Sequence, residues 1–298
     1  MSAAPTGNGL PVPVPGGTLV AFALAGADRQ APAVLAIHGI TANSQAWLAV
    51  TRALGDQARL IAVDLRGRGA SRTLPAPYGI AAHAADMLAV LDELELERTV
   101  VVGHSLGAYI AARLAVEHPE RVRALVLVDG GLKIPGTEGV DPQQFLDAFL
   151  GPALARLKLS FATREAYHDW WRGHPALTAG DVAAGDLDAY ADHDLVGSEP
   201  QLRSGVAEAA VRADAADLFT TTEAAEQLTI PATLLCAPRG LVDDPNPMQP
   251  VELVAAWAAG APRERGMVAV ADVNHYTIAM GHRGAGAVAQ AVLGALAP

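Results

Sequence analysis

The stretch that decides the fold is Val100-Val101-Val102-Gly103-His104-Ser105-Leu106-Gly107-Ala108. A run of β-branched residues predicts a buried strand that ends near Val102, and the apolar spacing from Leu106 onward predicts a helix. A serine at such a strand-to-helix turn has a strained backbone, and glycine neighbours allow the chains to approach closely. The turn lifts the hydroxyl out of the sheet and places it at a helix N-terminus, where developing negative charge is stabilised. Ser105 is therefore a candidate nucleophile.

Short apolar runs alternate with helical patterns on both sides of this motif. The predicted strands are Leu19–Leu24, Val34–His38, Leu60–Asp64, Thr99–Val102, Leu125–Val128, Ala232–Cys236 and Met267–Val270. The predicted helices of the same region are Ser44–Leu54, Ile80–Leu94, Leu106–His118, Val251–Ala259 and Ala285–Leu296. Continuous apolar strands separated by helices predict an α/β fold, with a mostly parallel central sheet and helices on both faces.

The alternation stops between Leu132 and about Thr229, where helical patterns follow one another without a strong strand. These patterns are Pro142–Leu159, Arg164–Arg172 and Gln201–Leu218. We expect residues 132–229 to form a helical cap, or lid, over the C-terminal edge of the sheet, where ligands bind in open α/β sheets. Residues 1–131 and 230–298 then form the core. A separate helical domain without a role at the site is the alternative.

The composition limits the class of protein. The chain has 298 residues, of which 51% are hydrophobic and 18% are charged, and its net charge is −11. Such a chain can bury a large core, and its charge disfavours nucleic acid and anionic membrane surfaces as partners. Its one cysteine, Cys236, fits a small buried apolar residue. The N-terminus has no signal-peptide pattern, so the expected location is the cytoplasm.

Several motifs, taken in their order along the chain, resemble the α/β-hydrolase superfamily in its serine-nucleophile branch. They are His38-Gly39-Ile40, the segment from Asp64 to Ser71, Gly103-His104-Ser105-Leu106-Gly107 and Asn274-His275-Tyr276. The resemblance implies the α/β-hydrolase fold, with the helical cap inserted before the penultimate strand. It also implies Ser105 as the nucleophile and His275 as its general base. The oxyanion hole is then formed by the backbone N–H groups of Ile40 and Leu106.

The acidic partner of His275 stays open at this stage. We favour Asp243, which follows the predicted strand Ala232–Cys236, although the acidic residues there come about two positions later than the family pattern. The main alternative is Asp129 at the end of the preceding strand, and Asp244 is a further one. The order of motifs along the chain does not separate these residues.

Other residues have expected roles at or near the site. Trp47 and His104 are candidates for substrate binding, although His104 also fits a support of the nucleophile loop. We expect most cap aromatics to pack the cap onto the sheet rather than to line a pocket; they are Phe145, Phe149, Phe161, Tyr167, Trp170 and Trp171. The histidines outside the catalytic motif divide between a structural role for His38, solvated positions for His83, His118 and His282, and cap positions within reach of substrate for His168, His174 and His193.

Two charged stretches are expected to have no role in binding a phosphate or a metal. The loop that holds Arg66 and Arg68 lacks the motifs of a phosphate site, and we expect its arginines to pair with nearby carboxylates. The run Asp192-His193-Asp194 has no partners at metal-ligand spacing, and we expect a solvated loop there. No metal and no cofactor is therefore expected.

The leading hypothesis is a carboxylesterase- or lactonase-like serine hydrolase that cleaves a small, largely apolar ester or lactone. A C–C bond hydrolase, a thioesterase or a perhydrolase on the same triad is the alternative within the fold. A ligand receptor without catalytic activity is the alternative from another class. A small molecule is the expected partner, and a homodimer is left open.

Overall fold

The computed structural model describes residues 8–24, 30–136, 150–151, 153–178, 181–220, 223–260 and 264–297. Within them, one sheet has eight strands in the order β1-β2-β4-β3-β5-β6-β9-β10. The strands are β1 (Asn8–Val14), β2 (Gly17–Ala23), β3 (Ala33–Ile37), β4 (Arg59–Asp64), β5 (Thr99–His104), β6 (Val122–Val128), β9 (Ala232–Cys236) and β10 (Arg265–Ala269). Pairing is parallel from β4 through β10 and antiparallel only where β2 meets β1 and β4. This is the mostly parallel sheet that the sequence predicts.

Helices cover both faces of this sheet. They are α1 (Leu48–Leu54), α2 (Ile80–Glu93), α3 (Leu106–Glu117), α8 (Val251–Ala259), α9 (Thr277–Met280) and α10 (His282–Leu296). Alternate residues of the inner strands enter two different buried clusters, since successive side chains of a strand point to opposite faces. Leu35 and Val101 pack with α2, α3 and α8, whereas Ala36 and Val102 pack with α1 and α10. The sheet thus lies between two helical layers.

Strand β1 is one element that the sequence analysis missed. It holds Pro11 and Pro13, which argue against a strand in the middle of a sheet. The structure places β1 at the edge, where it pairs only with β2. A missing backbone N–H is tolerated there, because one side of an edge strand has no ladder to complete.

The described residues between β6 and β9 are mainly helical, and we call residues 132–229 the cap segment. Its elements are α4 (Arg164–Arg172), α5 (Pro175–Thr178), α6 (Ala184–Asp194), α7 (Glu208–Thr220) and a small ribbon of β7 (Leu195–Val196) and β8 (Arg203–Ser204). The predicted helix Gln201–Leu218 is wrong at its start, because Arg203 and Ser204 pair with β7 before the helix begins at Glu208. Much of the predicted helix Pro142–Leu159 lies outside the described residues; residues 150–151 and 153–157 are helical.

A third buried cluster holds the cap segment together. Phe161, Tyr167 and Trp171 pack against one another with Tyr190 in this cluster. Phe145 and Phe149 lie outside the described residues. None of the described helices is long and apolar enough to cross a membrane.

Candidate active site

Ser105 lies at the sharp turn between β5 and α3, with φ of 53° and ψ of −122°. The two glycines of the motif are required by sterics. A Cβ at Gly103 would overlap the carbonyl of Gly107, and a Cβ at Gly107 would overlap the carbonyl of Ile37 on the neighbouring strand. The strained turn therefore closes only with glycine at both positions, and it raises the Ser105 side chain above the C-terminal edge of the sheet.

His275 follows β10 and reaches the same edge. Its Nδ1 lies 2.7 Å from Oδ2 of Asp129, and both side chains are buried. Asp129 directly follows β6, and its other carboxylate oxygen accepts a hydrogen bond of 3.1 Å from the N–H of Ala237. Asp129 also has a left-handed backbone, with φ of 46°. The strand ends therefore bring a serine, a histidine and a carboxylate to one place.

The preference for Asp243 over Asp129 is corrected by this geometry. Asp243 accepts a hydrogen bond of 2.9 Å from Nδ2 of Asn274 and pairs with Nε of Arg239 at 2.7 Å. It thus holds the residue before His275 rather than the imidazole itself. Asp244 instead accepts the N–H of Asn246 within the same turn. The compact turn after β9 keeps both carboxylates away from His275.

Ser105 and His275 line one cavity, and Asp129 contributes to its wall. The Ser105 hydroxyl and His275, both of which the structure describes, are not hydrogen-bonded to each other. Such bonds are often long in ligand-free enzymes and tighten when a substrate is bound. The arrangement of base and orienting carboxylate beside a serine is the one that activates a hydroxyl nucleophile.

The two amides expected at the oxyanion hole are free in the described part of the chain. No hydrogen bond there uses the N–H of Ile40 or the N–H of Leu106, the first residue of α3. A Cβ at Gly39 would lie only 3.2 Å from Cβ of Ser105, so the loop passes directly over the serine. These positions suit two donors that stabilise negative charge on a reacting carbonyl oxygen.

Arg68 holds the carbonyl of Ile40, in the peptide unit after the one that carries the Ile40 N–H. Its Nε and a terminal nitrogen both donate to the Ile40 carbonyl, at 3.0 and 2.8 Å. The same buried guanidinium pairs with Asp214 of α7, and Asp214 also accepts from Nε2 of His83 at 3.0 Å. The sequence analysis predicted the pairing of Arg68 with a carboxylate. It was wrong about His83, which is fully buried rather than solvated because Asp214 supplies its partner.

His104 supports the loop that carries the base. Its Nε2 donates to the carbonyl of His275 at 2.8 Å, and the two imidazole rings lie 4.7 Å apart. Burial, together with the neighbouring His275, lowers the pKa of His104 well below its usual 6.5. A neutral ring with its proton on Nε2 is consistent with this bond. His104 borders the cavity, so its position is compatible with both expected roles.

Trp47 does not reach the cavity, and its expected contact with substrate is wrong. Its side chain is fully buried in the cluster between the sheet, α1 and α10. Trp47 ends a short 3-10 helix, Ser44–Trp47, all of whose residues are buried, and its indole packs in the core cluster. Closeness along the chain to Ile40 was therefore a misleading signal.

The run Asp192-His193-Asp194 is not a solvated loop. It ends α6, and Nε2 of His193 lies 2.6 Å from Oδ2 of the buried Asp64. Asp194 is buried and pairs with Arg156. These contacts join the cap segment to the core. No group of three metal-binding side chains occurs among the residues that the structure describes.

The cavity itself encloses about 800 Å³ of empty space, open solvent at its mouth included. Apolar side chains line much of it, among them Ile134, Leu150, Leu218 and Met248. Within the described chain no arginine or lysine lines it.

Comparison with known families places this geometry in context. Residues 32–187, a little over half of the chain, match the family model described as the alpha/beta hydrolase fold. The chain belongs to this family. The order of the strands and the turn at Ser105 agree with that assignment.

Individual relatives match shorter parts of the chain. A 2-hydroxymuconate semialdehyde hydrolase of Pseudomonas sp. (strain CF600) is 35% identical over 150 residues, covering 44% of this chain and 53% of that protein. An uncharacterized protein of Mycobacterium tuberculosis is 42% identical over 111 residues, covering 37% of this chain and 32% of that protein. The chain thus spans from a third to about half of the length of these relatives.

A solved structure resembles the chain over nearly its full length. The crystal structure of E-2-(acetamidomethylene)succinate hydrolase superposes with a TM-score of 0.78 and covers 97% of this chain and 99% of that one, at 22% sequence identity. At this identity the likeness shows the fold alone.

Proposed function

We propose that the protein is a serine hydrolase that cleaves a small, largely apolar carboxylic ester or lactone through an acyl-enzyme on Ser105. The observation that carries the proposal is the buried contact between His275 Nδ1 and Asp129 Oδ2, beside a serine held at a strained turn. A histidine oriented by a carboxylate is the base that a serine hydroxyl needs.

The proposed reaction follows from this arrangement. His275 Nε2 takes the proton of the Ser105 hydroxyl while its oxygen attacks the ester carbonyl carbon. Asp129 stabilises the imidazolium that forms, and the N–H groups of Ile40 and Leu106 hold the oxyanion. His275 then gives its proton to the leaving alcohol. A water molecule, activated by the same histidine, hydrolyses the acyl-enzyme and frees the serine.

The walls of the cavity support an uncharged substrate. Its lining is largely apolar, and no cationic side chain among the described residues lines it to bind a carboxylate. The net charge of −11 further supports a small molecule rather than nucleic acid as the partner.

C–C bond hydrolysis is a second candidate, because the Pseudomonas relative is named for a hydroxymuconate semialdehyde and is 35% identical over the matched residues. That substrate name denotes a carboxylate-bearing molecule, which the apolar lining does not favour. Thioester hydrolysis and perhydrolysis would use the same three residues. A ligand receptor without catalytic activity would not need a serine, a histidine and a carboxylate placed together in this way.

The experiment that tests the proposal is labelling with a fluorophosphonate, followed by peptide mapping. We expect one labelled residue, Ser105, and loss of labelling in His275→Gln and Ser105→Ala. His282→Gln is the matched control, since His282 is exposed and lies outside the cavity. A label on another residue, or unchanged labelling of His275→Gln, would exclude the assignment. A panel of short esters, lactones, thioesters and vinylogous diketones would then rank the candidate reactions.

A further inference from the structure

The cavity above Ser105 has two halves of different chemistry. One half is formed by Ile134, Leu150, Leu218 and Met248, which belong to the large buried cluster on the α2, α3 and α8 face of the sheet. The other half is formed by His174, Tyr190 and Tyr276, of which the two tyrosines belong to the cap cluster around Trp171. Two separate clusters thus present different walls to the same serine.

The second half carries polar groups that have no partner. Neither the Tyr190 hydroxyl nor the Tyr276 hydroxyl forms a hydrogen bond with any described residue, although only 1% of Tyr190 is exposed. His174 accepts the N–H of Ala176 at Nδ1, at 3.3 Å, and so has its Nε2 N–H left to donate. All three side chains border the cavity, so these donors face whatever fills it. They are therefore available to donate hydrogen bonds to a bound ligand.

Two of these groups, Tyr276 and His174, lie on the side of the base. Tyr276 follows His275 directly, and the two rings are 6.1 Å apart, while the rings of His174 and Tyr276 are 5.1 Å apart. Tyr190 also lines the cavity, and its backbone is held next to the loop that follows Ile40, because its carbonyl accepts a hydrogen bond of 3.0 Å from Nδ2 of Asn43. In the proposed reaction His275 protonates the leaving alcohol, so that part of the substrate must lie on this side.

The polar half is uncharged. Burial raises the pKa of both tyrosines above the usual 10.0, and burial, with Arg156 nearby, lowers the pKa of His174 to about 4. The charge of Arg156 is itself compensated by Asp194. Neutral O–H and N–H donors fit a neutral oxygen acceptor, and they offer no full charge to bind a carboxylate or an ammonium group.

We propose that His174, Tyr190 and Tyr276 form a subsite for an uncharged oxygen atom in the leaving alcohol, such as an ether or hydroxyl oxygen, while the apolar half takes the acyl chain. The substrate class is then an ester of an apolar acid with an oxygenated alcohol. This assignment rests on the proposed function for the direction of the two halves.

The test uses two esters that differ by one atom, butyl hexanoate and 2-methoxyethyl hexanoate. The ratio of their kcat/KM values is measured in the wild type and in Tyr190→Phe and Tyr276→Phe, so that the intrinsic reactivity of each ester cancels. We expect each variant to lower the preference for the ether ester by about threefold to tenfold, the value of one neutral hydrogen bond. A pair of esters with the ether oxygen in the acyl chain should show no such change.

Tyr109→Phe is the matched control, because the Tyr109 hydroxyl also borders the cavity but already donates to the carbonyl of Leu132 at 2.6 Å. It should leave the ratio unchanged. Equal ratios in the wild type and both test variants would overturn the subsite. Dissociation constants of both esters for Ser105→Ala give a readout that needs no turnover. If the wild type hydrolyses neither ester but the binding preference depends on the tyrosines, the subsite stands and the proposed function fails.

Discussion

Asp129→Asn is expected to abolish most of the activity while leaving the fold intact. The structure dictates how the new amide would lie. The N–H of Ala237 donates to Asp129 Oδ1, so the asparagine oxygen is retained there and its NH₂ group faces His275. His275 Nδ1 must then accept a hydrogen bond, and the imidazole proton moves to Nε2. A base that faces Ser105 with a proton already on it cannot accept another one.

The magnitude follows from charge as well as from tautomer. The carboxylate and the imidazolium are in direct contact at 2.7 Å between Nδ1 and Oδ2, with both groups buried. Two unit charges about 4 Å apart attract by about 4 kcal/mol at an effective dielectric constant of 20. Loss of that stabilisation corresponds to roughly a thousandfold lower rate, since each 1.36 kcal/mol is tenfold. Asparagine tolerates the left-handed backbone of this position, so the melting temperature should change little.

Asp243→Asn is the matched control. Asp243 is partly exposed, and its pair with Arg239 is worth at most about 1 kcal/mol. The new side chain can still accept from Asn274, so we expect a change in kcat/KM of less than about threefold. The assay is steady-state hydrolysis of an activated short-chain ester, with thermal unfolding of each variant alongside. Equal losses in the two variants, or a larger loss for Asp243→Asn, would refute the assignment of the acid.

Three further predictions concern the residues that support the site. Arg68→Lys should lower kcat about tenfold with little change in KM, because a single ammonium cannot replace both hydrogen bonds to the Ile40 carbonyl. Arg66→Lys should leave kcat unchanged, since the Arg66 side chain bonds Asp86 and the Pro75 carbonyl; equal kcat values for the two variants would contradict this. Gly107→Ala should lower the free energy of unfolding in urea by several kcal/mol, since its Cβ would overlap a neighbouring strand. Gly286→Ala, which has open space around it in α10, should raise that free energy slightly. Similar effects of both variants would refute the packing argument. Burial lowers the pKa of His38 from 6.5 to about 4, so between these pH values the unfolded chain binds more protons than the folded one, and the free energy of unfolding falls as the pH falls. In His38→Asn about 3 kcal/mol of this acid-dependent loss of stability should be absent. Identical pH profiles of stability for the wild type and the variant would disprove this prediction.

The sequence predicts the sheet and the strand-to-helix turn at Ser105 well, because both depend on local patterns. The apolar runs and the turn glycines act within a few residues of Ser105. The bounds of α4 and α8 are those predicted, Arg164–Arg172 and Val251–Ala259, because their apolar stripes and flanking turn residues are also local. Local physics therefore accounts for the bounds of these two helices and for which residue lies at the turn.

The acid and the buried histidines depend on contacts that no local pattern contains. Asp129 and Asp243 both precede His275 in the chain, and only the turn after β9 decides which of them faces the imidazole. His83 and His193 look solvated or ligand-facing in sequence. Their burial is possible because each has a hydrogen-bonded carboxylate far along the chain. Asp214, 131 residues away, bonds His83, and Asp64, 129 residues away, bonds His193. Pairing over such separations is set by the packing of the cap segment on the core.

That packing has a consequence for catalysis, because the same bonds that hold the cap segment also hold the oxyanion loop. Arg156 of the cap segment donates to the Thr41 carbonyl at 3.3 Å, and Asn43 donates to the Tyr190 carbonyl at 3.0 Å. Arg68, which bonds the Ile40 carbonyl, is paired with Asp214 on α7 of the cap segment. Preorganised donors stabilise a developing oxyanion without reorganisation only if their peptide planes stay fixed. A displacement of the cap segment would break these bonds, and the loop that carries the proposed Ile40 donor would lose the supports next to that donor.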